Sequence, residues 1–112
     1  MNAETYKRIL AQAKIDALEK WEGIKSVVLP NQLFITSCPL CDVAILSRKN
    51  YNVHYVCPLG RIDVYGDSRC CLEYYTWHHL RTPENAQAVI NRINAVDVGA
   101  WTAELVKRGV LE

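Results

Sequence analysis

The sequence lacks an excess of charge of one sign, a long apolar run and a leader-like N-terminus. Thirteen Lys and Arg residues balance twelve Asp and Glu residues, whereas a nucleic-acid binder usually shows a basic face. The apolar runs, such as residues 43–46, are far shorter than the roughly 20 residues of a membrane-spanning helix. No charged segment followed by an apolar one opens the chain, so nothing indicates export. We therefore expect a cytoplasmic protein that does not enter a membrane.

The first segment carries apolar residues at helical spacing. A chain of 112 residues, half of them hydrophobic, fits one domain with a modest core. The spacing predicts a helix over residues 1–23 that begins at Asn2 and stops at Gly23. The apolar face of this helix comprises Tyr6, Leu10, Ala13, Ala17 and Trp21. Short strands around a Pro30-Asn31 turn are expected over residues 24–36, which are rich in Val, Ile, Leu and Phe.

The last part of the chain, residues 72–110, is predicted to be helical. Thr82 before Pro83 favours a helix start, since Thr can accept a backbone hydrogen bond and Pro suits the first helical position. Asp97 can cap a final helix that ends at Gly109. The apolar residues of these two helices are Ala86, Val89, Ile90 and Ile93, then Val98, Trp101 and Leu105. The expected fold is one small, mainly helical α+β domain, with a cysteine knob over residues 24–71 and two or three C-terminal helices.

All five cysteines lie between Cys38 and Cys71. Structural disulfides are rare in the cytosol, so this density needs another explanation. Zinc takes four tetrahedral ligands, commonly a C-x-x-C pair and a second pair further along the chain. The sequence therefore predicts a structural zinc ion. Its ligands are expected to be Cys38, Cys41, Cys57 and Cys70, with His54 or Cys71 as the alternative fourth ligand.

The Cys38-Pro39-Leu40-Cys41 motif also has a redox interpretation. A strand at residues 33–36 and a helix beginning within residues 42–49 would place the motif at a helix N-terminus, as in glutaredoxin-like folds. Cys38 would then be the nucleophile and Cys41 the resolving thiol. This alternative leaves Cys57, Cys70 and Cys71 unexplained, so zinc is the preferred interpretation.

The cysteine framework resembles that of a group of small uncharacterised bacteriophage and prophage proteins. Their pattern runs CPLC, then C-x-x-C-P-[LV], a glycine-containing loop, another Cys and a Tyr-x-x-Trp helix start. It corresponds here to residues 38–90, where Gly60 and Gly66 occupy the loop. His54 stands in place of the first Cys of the second pair, which favours His54 as a ligand, and the Pro usual before the Tyr is absent. The matching motifs are Cys38-Pro39-Leu40-Cys41, Cys57-Pro58-Leu59, Cys70 and Tyr74-Tyr75-Thr76-Trp77.

These observations predict a non-catalytic binding protein. A closed four-ligand zinc site has no open coordination position, so the zinc is expected to be structural, and no catalytic motif is recognisable. The phage resemblance implies a host protein as the partner, for example a nuclease or another defence component that the chain would inhibit. A zinc-knob nucleic-acid binder is the third alternative, after the oxidoreductase. The candidate recognition residues, on loops near the zinc site, are Tyr51, Tyr55, Arg61 and Tyr65.

Overall fold

The computed structural model describes residues 1–26 and 38–112, which form six helices and a two-stranded sheet. The predicted Pro30-Asn31 turn and the predicted strand at residues 33–36 lie outside the described residues. The mainly helical α+β fold class is confirmed. In chain order the elements are α1 (Ala3–Ser26), α2 (Pro39–Ser47), α3 (Val53–Val56), β1 (Arg61–Ile62), β2 (Ser68–Arg69), α4 (Leu72–His79), α5 (Pro83–Asn94) and α6 (Val98–Lys107).

Helix α1 is the central element of the core and packs against α2, α5 and α6. Asn2 caps it, as predicted, because its Oδ1 accepts the N–H of Thr5 at 2.8 Å. All five residues of the predicted apolar face are buried. The predicted stop at Gly23 is wrong, since the helix continues to Ser26. A glycine costs a helix only about 1 kcal/mol, and Ile24, just beyond it, packs against the core.

Helices α5 and α6 begin where the sequence predicts, and α6 ends just before Gly109, the predicted stop. The Thr82 hydroxyl accepts the N–H of Asn85 at 3.1 Å, and Asp97 Oδ1 accepts the N–H of Ala100 at 2.9 Å. Gly109 follows α6 with a φ of 78°, a left-handed conformation that favours glycine. Ala86, Val89, Ile90 and Ile93 of α5 are all buried. Local capping and helical periodicity therefore account for this half of the fold.

An aromatic cluster joins α1 to α4. The ring of Trp21 meets that of Trp77 edge-on, with centroids 4.9 Å apart, and meets that of Tyr74 in the same way at 6.2 Å. Such pairs contribute about 0.5–1.5 kcal/mol beyond the burial of their area. The cluster holds the start of α4, and with it the neighbouring cysteines, against the central helix.

The middle of the chain is built from short elements. Helix α2 begins at Pro39, earlier than residues 42–49, because Cys38 is its N-cap and Pro39 has the φ of a first helical residue. Helix α3 was not predicted; its cap is Asn52, whose side chain accepts the N–H of His54. Strands β1 and β2 form an antiparallel hairpin in which Arg61 pairs with Arg69. No helix in the described part of the chain has the length and hydropathy of a membrane span.

Candidate metal centre

Three separate stretches of chain bring the five cysteines together. Cys38 is the N-cap of α2, and Cys41 lies in the first turn of that helix. Cys57 is the C-cap of α3. Cys70 follows β2 directly, and Cys71 is the N-cap of α4. Because α3 packs against both α2 and the hairpin, these helix ends and the strand end meet in one region, and all five thiols are free.

The thiols form two hydrogen-bonded pairs with Cys38 beside them. Cys57 pairs with Cys41, and Cys70 pairs with Cys71. The pairs also interact electrostatically, because Cys70 lies close enough to Cys41 and Cys57 to influence both. Cys57 and Cys71 are 1% and 2% exposed, respectively. The cluster is therefore anchored in the core.

The two thiols of each pair differ in pKa. The hydrogen bond from Cys57 lowers the pKa of Cys41, and the same bond together with burial raises the pKa of Cys57. In the same way the hydrogen bond from Cys70 lowers the pKa of Cys71 to about 7, while the pKa of Cys70 is raised. In each pair, therefore, the pKa of one thiol lies below the usual cysteine value and the pKa of its partner lies above it.

Cys38 behaves differently from the paired thiols. Burial raises its pKa, although the nearby N–H groups of Leu40 and Cys41 and the charge of Lys20 oppose that shift. These N–H groups form no regular capping hydrogen bond with the Cys38 side chain. Cys38 is therefore the least acidic end of the C-x-x-C motif, the reverse of the order that the redox alternative needs.

Gly60 is required by the turn after Cys57. Its N–H donates to the carbonyl of Cys57 at 2.9 Å. A Cβ at this position would collide with the carbonyl oxygen of His54. Only glycine lets the backbone pass so close to α3, and this close passage fixes Cys57 relative to the base of the hairpin.

A cavity of about 210 Å³ opens onto the cluster. Cys38, Cys41 and Cys70 line it together with His54, and its walls are mostly aromatic and aliphatic. The Nδ1 atom of His54 is buried and has no hydrogen-bond partner among the described residues. Burial, reinforced by the charge of Arg69, lowers the pKa of His54, so the imidazole is held neutral, the form that binds metals.

The predicted ligands are neighbours, but their side chains are not arranged as a coordination shell. Within residues 1–26 and 38–112, no group of three or more His, Cys, Asp or Glu side chains is placed so that it could hold a metal ion. The thiols instead lie as two neighbouring pairs, Cys41 with Cys57 and Cys70 with Cys71. The prediction of Cys38, Cys41, Cys57 and Cys70, with His54 or Cys71 as the alternative, stays a prediction.

The predicted recognition residues are spread over two surfaces. Tyr51 and Tyr55 stack with their centroids 5.2 Å apart. Arg61 is half-buried, and its Nε donates to the carbonyl of Cys70 at 2.9 Å. Tyr65 lies at the tip of the hairpin and is 86% exposed. The guanidinium of Arg108 lies over the rings of Tyr55 and Trp101. No sequence pattern predicts this site residue, because its contact with Tyr55 joins distant parts of the chain.

The hairpin tip is rigidly built although its apolar side chains are in solvent. Asp63 Oδ1 accepts the N–H groups of Tyr65 and Asp67 at 2.9 and 3.0 Å. Its Oδ2 accepts from Arg69 Nε at 3.1 Å. Gly66 closes the turn with a φ of 81°. This arrangement displays Tyr65 and the 93% exposed Val64.

The described strands do not provide a glutaredoxin-like setting for the C-x-x-C motif. They form one antiparallel hairpin, whereas that setting requires a parallel βαβ unit around the dithiol. His78 and His79, after Trp77, are exposed on the last turn of α4. Neither histidine lines the cavity beside the cysteines.

Comparisons with known proteins identify no family for this chain. No protein-family model matches the chain, and no curated protein or solved structure matches it either. The resemblance to phage proteins accordingly stays a prediction that rests on the cysteine framework.

Proposed function

We propose that this chain is a non-catalytic binding protein in which a structural zinc ion staples the cysteine region. The observation that carries this proposal is the convergence of five free thiols, from three stretches of chain, beside the core. The zinc ligands would be Cys38, Cys41, Cys57 and Cys70. Cys71 and His54 are the alternatives for the fourth position.

The donor chemistry suits zinc. Zinc thiolate sites need deprotonated sulfur, and one thiol of each pair already has a lowered pKa. A divalent cation that binds these sulfurs would displace the protons of the remaining thiols. The unpartnered Nδ1 of His54 is also a donor of the required type. The donor types therefore suit zinc, although the described side chains lie as two thiol pairs and not as a coordination shell.

Such a zinc site would stabilise the base of the β1–β2 hairpin. Cys57 lies four residues before β1 and Cys70 directly follows β2, so a metal bound to both would fix the base of the hairpin. The tip would then present Val64 and Tyr65 in a constant orientation. An exposed aliphatic and aromatic pair on a rigid support is typical of a protein–protein contact.

The partner we propose is a protein of a bacterial host, and inhibition of a defence component is the role we expect. The support for this partner class is the resemblance of the cysteine framework to phage proteins. The test is quantitative capture from bacterial lysate with the tagged chain. Tyr65→Ser is the test variant, and Leu80→Ser, which changes a residue 63% exposed on another element, is the matched control.

We expect a host protein that the wild-type chain and Leu80→Ser enrich equally and that Tyr65→Ser loses. Chelation of the metal should reduce the same capture, because the hairpin base loosens. If no protein is enriched at micromolar bait, or if Tyr65→Ser captures the same set as the wild-type chain, the proposal fails.

The second candidate function is that of a thiol–disulfide oxidoreductase. It is favoured by one observation, that Cys38 and Cys41 both line an open cavity. Cys38 thiolate would attack a substrate disulfide and release one thiol, and Cys41 would then release the second and leave a Cys38–Cys41 disulfide. Turnover of a small aromatic disulfide in the presence of a dithiol reductant, lost in a folded Cys38→Ser variant, would establish it. Under the zinc proposal the same substitution destabilises the cysteine region.

A further inference from the structure

A second cavity, of about 310 Å³, lies between α3, the hairpin and α6. The proposed zinc-bound binding protein makes no use of it. Two arginines, two neutral polar side chains and two aromatic rings line it. These residues are Arg61, Arg108, His54, Ser68, Tyr55 and Trp101.

Most of the guanidinium group of Arg108 has partners within the protein. Its Nε donates to Glu104 at 2.9 Å, and its Nη1 donates to the carbonyl of Tyr55 at 2.8 Å. The rings of Tyr55 and Trp101 lie on the guanidinium at 4.7 and 4.9 Å from their centroids. Its Nη2 has no acceptor among the described residues. The side chain is therefore preorganised, and its Nη2 is available to donate to a ligand.

Arg61 carries a charge that no described carboxylate neutralises. Its Nε donates to the carbonyl of Cys70, and both terminal nitrogens have no acceptor in the described ranges of the chain. Glu104 neutralises Arg108 only, while Asp63 and Asp67 pair with Arg69. The cavity thus holds one net positive charge on a guanidinium fork that is anchored at its Nε.

Neutral donors complete the lining. The hydroxyl of Ser68 makes no side-chain hydrogen bond to another described residue, and His54 borders this cavity as well as the cysteine cavity. Gly60 brings the backbone against α3 and so places Arg61 next to His54. Planar guanidinium forks pair with the oxygens of phosphate and carboxylate groups, often through two parallel bonds.

We propose that this cavity binds an oxyanion group, a phosphate or a carboxylate, through the terminal nitrogens of Arg61 and Arg108 with the hydroxyl of Ser68. Binding does not require the zinc ion, so this inference stands independently of the proposed function. The shared chemistry is an anionic group with at least two oxygens, presented at the mouth of a cavity that Tyr55 and Trp101 also line.

The test is an NMR titration of the isotope-labelled chain with sodium phosphate and, separately, with sodium acetate at constant ionic strength. We expect saturable amide shifts at residues 54, 60–62 and 68, with a Kd roughly in the millimolar range. Tighter binding of phosphate would identify a phosphoryl group as the ligand, and tighter binding of acetate a carboxylate. Arg61→Gln should weaken binding about tenfold, the loss of one charged hydrogen bond.

The matched control is Arg69→Gln, which removes an arginine of the same hairpin that is paired with Asp63 and does not line the cavity. It should leave the Kd within about twofold. Should Arg61→Gln fail to fold, Ser68→Ala replaces it, with an expected loss of about threefold. Shifts that never saturate with either anion, or that are the same in the wild type and the Arg61 or Ser68 variant, would overturn the proposal.

Discussion

The helical frame and the cysteine region of this molecule differ in the length of their elements and in the apolar side chains that they leave exposed. The helical frame, formed by α1, α5 and α6, has long amphipathic helices whose apolar faces are buried against one another. The cysteine region, residues 38–71, consists of a nine-residue helix, a four-residue helix and two strands of two residues. Ile45, Leu46, Ile62 and Val64 of that region are exposed. Under the zinc proposal, a metal held by the thiols adds stability to these short elements.

The largest expected loss of stability comes from removing a large buried side chain of the helical frame. Trp21 is 1% exposed and contacts the rings of Trp77 and Tyr74, so Trp21→Ala should destabilise the fold by about 3–5 kcal/mol. Urea unfolding followed by circular dichroism measures this. Ile15→Ala, on the same helix but 52% exposed, is the control and should cost less than about 1 kcal/mol. Equal losses for both variants would show that α1 is not the centre of the core.

Replacing a glycine with alanine should have opposite effects on stability in the two regions. Gly60→Ala should destabilise the cysteine region by about 1–3 kcal/mol, because the new methyl group collides with the His54 carbonyl. Gly23→Ala, at an open position in α1, should stabilise by up to about 1 kcal/mol, since alanine is the better helix former. Urea unfolding of the two variants side by side checks the signs. A neutral Gly60→Ala would contradict the close approach of the hairpin base to α3.

The helix caps of the helical frame contribute less to the free energy of unfolding than the buried Trp21 does. Thr82→Ala removes the acceptor for the Asn85 N–H and should cost about 1 kcal/mol. Thr76→Ala, at an exposed position within α4, should change stability by less than about 0.5 kcal/mol. The same urea measurement resolves the two, and a larger effect at Thr76 would be inconsistent with the cap.

The sequence predicts the frame well because its signals are local. Capping side chains act within three residues, and the apolar face of α1 follows helical spacing through five positions, all of which are buried. The cysteine region could be predicted only as a set of candidate residues. The pairing of Cys41 with Cys57, and the placement of Arg108 on Tyr55, depend on how short elements pack. Helix α1 continues past the predicted end at Gly23 because Ile24 packs against the core, a long-range contact that local signals do not reveal.

The smallest expected effect is a pH dependence confined to the hairpin. The N–H of Asp67, then Arg69 and the N–H of Tyr65, lower the pKa of Asp63. A carboxyl whose folded pKa is lowered stabilises the folded hairpin above its unfolded pKa of about 3.9, and that contribution is lost as the pH falls through the folded value. An NMR titration from about pH 5 to pH 2 should show the Val64 and Tyr65 amides losing dispersion before α1 does. Asp63→Asn should abolish this step; its persistence would assign the step to another group.

The most direct test of the central claim is metal content, measured by plasma mass spectrometry on protein purified without chelator, together with a count of reactive thiols. The account predicts about one zinc ion per chain, with four thiols protected until chelation and denaturation. Cys57→Ser should lose the zinc ion and loosen the hairpin, while α1 keeps its helical signal. A chain that carries no metal, in which Cys38 and Cys41 cycle readily between dithiol and disulfide and chelation leaves the stability unchanged, would contradict the account.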